Sequence, residues 1–342
     1  MKIKEFLYKT ITPFFLGKNK PIKKKGKNVL IIRDDALGDL LLFSGVLHDY
    51  IARCKREGQE LYLLVDKIYK EIAELYLPSK NILIIDKRKY FYDLKYRIDF
   101  IKHLRTKYYD VVIGSIHASS VCRDIMKYSY GLRKENRNFS SNNLKEHILN
   151  DELDFYTKIL KKNITKEQIL PFIPKEKLLT TEIKNYFILL GESGDNRRNY
   201  TRKKLLNIAK RIIKMYNLKC ILLGTDLDGI DENMNDFLDL RGKTSIKQAL
   251  EIIKCAKLVI GNETGLSHAA WIMQIPTVMI YGGGHFGRFL PLNEYCQLVT
   301  YKMECYQCDW KCIYNEKKFP CITNISEQDI LNVCEKFLNE VF

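Results

Sequence analysis

Short unbroken apolar runs alternate along the chain with longer segments whose apolar residues recur at helical spacing. NVLIIR at 28–33 is the first such run. A helix pattern follows over about 40–56, with Leu41, Leu42, Val46, Leu47 and Ile51 on one side. ELYLLV, NILIID and DVVIGS repeat the strand signature, with helical or charged stretches between them. A second series begins near residue 186 with YFILLG, a helix over about 202–216 and KCILLG. It continues with the helix SIKQALEIIKCA, the strand KLVIGN, a helix from Leu266 and the strand TVMIYG. Apolar runs of this kind make buried parallel strands, so the alternation predicts an α/β chain with two doubly wound sheets. ILPFIPKEKLLTTE carries two prolines between the series and sets the linker near 171–183. The chain thus divides into an N-terminal segment over 1–26, a first Rossmann-like domain over 27–176 and a second over 177–342. Ligands of such sheets lie outside the carboxyl ends of the strands, so a site between the two domains is expected.

Composition adds one constraint. A formal net charge of +16 over 342 residues implies an anionic partner: nucleic acid, an anionic membrane surface or a phosphorylated small molecule. Lysines that merely solvate exposed faces account for part of it. No apolar run is long enough to span a bilayer. The N-terminus is a poor signal peptide, because Lys9 and Pro13 interrupt its apolar stretch and no small-residue cleavage site follows. A cytoplasmic location is therefore expected, and ten cysteines there argue against a disulfide framework. Cys122, Cys220 and Cys255 read as single buried thiols. Phe6, Leu7, Ile11, Phe14, Phe15 and Leu16 precede the basic run KNKPIKKKGK, a combination suited to an anionic membrane surface. Docking of this segment on the second domain is the competing expectation.

Several motifs fail on context. GGGHFG at 282–287 has the spacing of a dinucleotide fingerprint, but Pro291 breaks the helix that should follow; a flexible ligand loop is expected instead. RGKTS lacks the earlier glycine of a phosphate-binding loop, Phe237 standing there, and Asp226 and Asp228 read as solvated acids. Cys305, Cys308, Cys312 and Cys321 are spaced C-x2-C-x3-C-x8-C within a Cys-rich loop at 305–321. Four thiolates suit a structural zinc, while free thiols packed beside Trp310 or a transient disulfide pair are the alternatives.

Two stretches carry the chemistry. IIRDDALGDLLLFSGVL places Asp34, Asp35 and Gly38 after a strand and Asp39 at a helix start, where a carboxylate serves as a cap or as a general base. LVIGNETGLSHAAWIMQIPTVMIYGGG at 258–284 runs from a strand through Asn, Glu, Thr and Gly into a helix, a polar mouth that a merely structural helix does not need. Together with GESGDNRRNYT and DLRGKTSIKQALEIIKCAKLVIGN, these stretches resemble, in order and spacing, glycosyltransferase family 9, the bacterial heptosyltransferases.

That resemblance implies a GT-B fold, with two Rossmann-like domains facing a cleft, the first taking the acceptor and the second a nucleotide sugar. It implies an inverting transferase without a catalytic metal, moving a sugar, typically heptose from ADP-heptose, to a lipopolysaccharide core. It implies Asp39 as the base, Arg198 beside the diphosphate with Ser193 and Gly194, and Thr244 near the nucleoside. Glu263, Thr264, Gly265 and His268 then line the donor pocket. Free backbone N–H groups at the helix start after Thr264 favour phosphate. Two departures stand out: Glu263 replaces the family's Asp, and Arg198, Tyr200 and Thr201 replace Lys, Trp and Pro. The implied partners are a nucleotide-sugar donor, a lipid-linked glycan acceptor and an anionic membrane surface, with no nucleic acid. A nucleotide-sugar epimerase or hydrolase on the same fold is the rival enzyme, and a basic nucleic-acid-binding protein is the rival of another class.

Overall fold

The computed structural model describes residues 10–16, 27–114, 119–135, 146–191, 193–225, 236–314 and 319–341. The chain forms two compact units, 1–140 with 151–170, and 141–150 with 171–342. Residues 1–9, 17–26, Asp226 and Asp228 lie outside the described residues, and with them Phe6, Leu7 and most of the basic run.

In the first unit a helix α1 over 10–16 precedes β1 (Asn28–Arg33), α2 (Leu37–Leu42), α3 (Ser44–Arg56), β2 (Glu60–Asp66) and α4 (Lys70–Ala73). β3 (Ile82–Ile85), α5 (Lys87–Tyr92), α6 (Leu94–Leu104), β4 (Tyr109–Ile113), α7 (Ser120–Tyr128), β5 (Gly131–Glu135) and α8 (Ile148–Leu160) follow. The sheet runs β3-β2-β1-β4-β5, and every pairing is parallel. Leu30 and Ile32 of β1 pack in one cluster with Leu64 of β2, Ile101 of α6 and Ile125 of α7. Val29 and Ile31, on the opposite face of β1, are equally buried. Burial of both faces is why NVLIIR reads as a continuous apolar run rather than an alternating one.

The helix expected over 40–56 is instead two, broken at Phe43. α3 starts against the chain at 169–170, where a Cβ on Gly45 would lie 2.2 Å from the Ile169 carbonyl oxygen. Only glycine permits that approach. α1 packs on the first unit: Thr12 is fully buried and accepts from Arg97 Nε at 3.0 Å, while Arg105 donates to the Leu16 carbonyl at 2.8 Å.

The second unit holds β6 (Tyr186–Leu190), α9 (Arg202–Tyr216), β7 (Lys219–Leu223), β8 (Phe237–Asp239), α10 (Ile246–Lys254), β9 (Val259–Asn262) and α11 (Gly265–Ile272). β10 (Thr277–Ile280), β11 (Cys296–Val299), α12 (Pro320–Thr323) and α13 (Glu327–Val341) complete it. Its parallel sheet runs β11-β10-β9-β6-β7-β8. α9 ends at Asn217 in the left-handed region, and α10 opens with a capping box of Ser245 and Gln248. Among the described residues no helix is long and apolar enough to cross a membrane.

Candidate functional site

Strand order locates the sites. In the first sheet the chain reverses direction between β1 and β4, and in the second between β9 and β6. Loops leaving adjacent strands diverge at such a point and open a crevice at their carboxyl ends. The polar residues singled out in the sequence follow β1 in the first unit, and β6 and β9 in the second.

After β1, Arg33 is almost fully buried and gathers its surroundings. It pairs with Asp35 Oδ2 and Glu152 Oε1, each at 2.7 Å, lies 4.2 Å over the Phe43 ring and donates to the Asp39 carbonyl at 3.1 Å. Burial alone would pull its guanidinium down, but Asp35 and Glu152 outweigh that and hold it above its ordinary value. Asp34 is buried against Ser119 and accepts Lys87 at its carbonyl. Asp39 is half-buried in the first turn of α2. The cap position is Ala36, which makes no side-chain cap bond, and the Asp39 carboxylate joins no hydrogen bond or ion pair among the described residues. It is therefore not consumed as a helix cap.

After β6, the backbone of Ser193 and the side chain of Asn199 bond reciprocally, N–H to Oδ1 at 2.7 Å and Nδ2 to O at 3.2 Å. The Ser193 hydroxyl donates to the Asp195 carbonyl and accepts from the Asp195 N–H, so the turn carrying Gly194 is tied at both ends. A single turn, Asn196–Arg198, then delivers Arg198. Tyr200 is buried at the end of this loop; its N–H reaches Asn262 Oδ1 on β9 and its hydroxyl the Ile325 carbonyl. The loop after β6 is thereby fastened to the strand that carries the second polar cluster.

After β9, Thr264 caps α11 by accepting the Ser267 N–H, and Gly265 begins the helix. Glu263, only 6% exposed, divides its two oxygens: Oε2 accepts from Arg198 at 3.1 Å and Oε1 faces His268 Nε2 at 3.4 Å. Burial pushes the Glu263 carboxyl up, but the His268 hydrogen bond and the Arg198 charge prevail and keep it below the usual carboxylate range. Trp271 Nε1 donates to His268 Nδ1 at 3.1 Å. Arg198 Nε is buried without a hydrogen-bond partner, and Asp195 Oδ2 is 4.0 Å away. A guanidinium held by Glu263 at Nη1 and lacking a hydrogen bond at Nε, beside a helix N-terminus, suits an anion. Thr244 is half-buried just ahead of the Ser245 cap of α10. The structure thus brings Arg198, Glu263 and His268 together, sets Thr264 and Gly265 at the start of α11, and carries Asp39 on the other unit.

The GGGHFG turn is not a loose ligand loop. A Cβ on Gly283 would meet the Tyr306 ring at 2.3 Å and one on Gly284 the Trp310 ring at 2.2 Å. The Gln307 and Asp309 N–H groups bond the carbonyls of these two glycines, and His285 Nε2 contacts Asp309 at 2.9 Å. The glycines make room for the aromatic residues of the Cys-rich loop. Burial pushes the Cys321 thiol up, with Cys305, Cys308 and Cys312 adding to it. Even so, among the described residues no group of three or more His, Cys, Asp or Glu is arranged to hold a metal ion. Trp310 packs here against Gly284 and edge-on against Phe319.

Sequence reading missed Arg33, Glu152 and Trp271. Only Trp271 carried a local signal, standing three residues beyond His268 on one helix.

Several known proteins are similar to this chain. A family model described as glycosyltransferase family 9 (heptosyltransferase) matches residues 225–318. Lipopolysaccharide heptosyltransferase 1 of Campylobacter coli is 23% identical, the match covering 91% of this chain and 99% of that protein. A glycosyl transferase family 9 structure from Veillonella parvula superposes with a TM-score of 0.72 at 14% identity, over 94% of this chain and 100% of its own. The E. coli heptosyltransferase WaaC with ADP gives 0.67 at 16%, over 92% and 99%. Two Rossmann-like units of GT-B type define the fold class, and the chain is similar to glycosyltransferases of family 9, the heptosyltransferase kind.

Proposed function

We propose that the chain is an inverting transferase that moves a sugar, heptose from ADP-heptose, onto a lipopolysaccharide core or a related envelope glycan. The observation that carries this reading is Arg198: Glu263 holds its Nη1, while its Nε makes no hydrogen bond and has only the distant Asp195 Oδ2 at 4.0 Å, an edge open to a further hydrogen bond. In this reading the open side binds the donor diphosphate and stabilises it as the bond to the sugar breaks, together with the N-terminus of α11 after Thr264. Ser193 and Gly194 line the same phosphates, Thr244 approaches the nucleoside, and Gly265 lets backbone N–H groups come close.

Asp39 takes the proton from the acceptor hydroxyl as it attacks the anomeric carbon on the face opposite the leaving group. Its carboxylate is uncommitted among the described residues, and Arg33 fixes its backbone, both of which favour a base held ready. A single displacement inverts the anomeric centre. The positive charge needed at the leaving group comes from Arg198 and the helix terminus, so this reading requires no catalytic metal.

The acceptor of such a reaction is lipid-linked, and the reading includes peripheral attachment to the anionic cytoplasmic face of the inner membrane. With Thr12 anchoring α1, Phe14 is 84% and Phe15 56% exposed, and Lys18, Lys20, Lys23, Lys24 and Lys25 follow in sequence. Replacing Phe14 and Phe15 by Ser is expected to reduce sedimentation with anionic vesicles while leaving transfer to a delipidated acceptor unchanged.

Calorimetry with ADP, alongside transfer from ADP-heptose, tests the donor site. Arg198→Ala is expected to weaken ADP binding and lower turnover together. Undiminished ADP affinity in Arg198→Ala sinks this assignment.

A further inference from the structure

Trp271 is a buried aromatic residue with one polar atom, and that atom is spent inside the donor cluster rather than on the backbone. Residues 268 and 271 lie one turn apart on α11, and their rings meet edge to face with centroids 6.1 Å apart. Indole Nε1 can only donate, so the His268 Nδ1 it reaches at 3.1 Å must accept and carries no proton. The imidazole proton therefore sits on Nε2, the nitrogen that faces Glu263 Oε1. Glu263 passes the constraint on through its other oxygen to Arg198. His268 and Trp271 are each 2% exposed, and Phe289 packs edge-on against the imidazole, so bulk water does not compete for these bonds.

We propose that Trp271 is a positioning residue of the donor site: by fixing the His268 tautomer it aligns Glu263, and through Glu263 the Arg198 guanidinium that grips the donor diphosphate. The proposal rests on the donor-site reading above. With the indole N–H gone, His268 is free to carry its proton on Nδ1. The Nε2 lone pair then faces the Glu263 carboxylate, and the carboxylate loses its alignment. If Trp271 merely filled space, its replacement would cost stability without any change of tautomer.

The experiment uses full-length protein with 15N-labelled histidine and the variant Trp271→Phe, the His268 signal being assigned with His268→Gln. Long-range 1H–15N spectra read the tautomer directly. The wild type is expected to show the Nε2–H form and Trp271→Phe a shift toward Nδ1–H, with ADP affinity about five- to tenfold lower. Glu263→Gln cuts the path beyond His268, so Trp271→Phe in that background is expected to leave ADP affinity unchanged. Loss of packing stability is expected in both backgrounds alike. An unaltered tautomer in Trp271→Phe, or an equal loss of ADP affinity in the Glu263→Gln background, overturns the proposal. If wild-type protein bound no ADP, the donor-site reading would fail while the tautomer result still stood on its own.

Discussion

Removing Arg198 strands a buried carboxylate. Glu263 is 7% exposed in its side chain, and its remaining partner among the described residues is His268 at 3.4 Å. Unit charges 3.1 Å apart attract by about 5 kcal/mol at an effective dielectric of ~20. Desolvation of Glu263 and the partial exposure of Arg198, 28% in its side chain, offset most of that, leaving a coupling of roughly 1–3 kcal/mol. Arg198→Ala alone is expected to cost about 2–3 kcal/mol, because an uncompensated charge is left inside. At about 2–4 °C per kcal/mol, the unfolding midpoint of the second unit falls by about 5–10 °C. Adding Glu263→Gln removes the stranded charge, so the double variant is expected to be more stable than Arg198→Ala. Thermal and urea unfolding of the four proteins, followed by circular dichroism without ligand, measures the cycle. Additivity of the two changes within about 0.5 kcal/mol would refute the idea that they form one buried unit.

Three other outcomes follow from the same geometry. Arg198→Lys keeps the charge but offers one nitrogen where the guanidinium offers two edges, so ADP affinity is expected to drop about tenfold in calorimetry, the loss of one good charge-assisted contact. Glu263 has a depressed folded pKa, so its share of stability is present above the ordinary carboxylate range and is lost as pH falls below it. Glu263→Gln should flatten that acid limb in unfolding measured from neutral pH downward. Gly284→Ala drives a Cβ into the Trp310 ring, with an expected cost of about 1–3 kcal/mol and a changed tryptophan emission.

The strands read correctly from the sequence are nearly all those buried between two others, and the missed ones share a cause. β5, β8 and β11 are each at a sheet edge. GLRKE in β5 is mostly exposed, and β8 is three residues long, so neither shows the unbroken apolar run that marked β1, β6 and β9. β3 is also an edge, yet NILIID betrayed it because most of that strand is buried. The break at Phe43 left no mark, since apolar spacing continues through it. At the candidate site, Arg198 and Glu263 were each recognisable as departures from a family pattern, but nothing local showed that they touch across 65 residues. Arg33 and Glu152 form a pair only through the folding of α8 onto the first sheet, a relation that no local pattern encodes.

The central claim is that Asp39 is the base of an inverting transfer. The most direct measurement is the anomeric configuration and yield of product, read by NMR and mass spectrometry after incubation with ADP-heptose and a core acceptor truncated before its heptose. Wild-type protein is expected to give the anomer opposite to that of the donor, and Asp39→Asn no product despite normal ADP binding. Turnover by Asp39→Asn close to wild type, or a product that keeps the donor's configuration, would contradict the account.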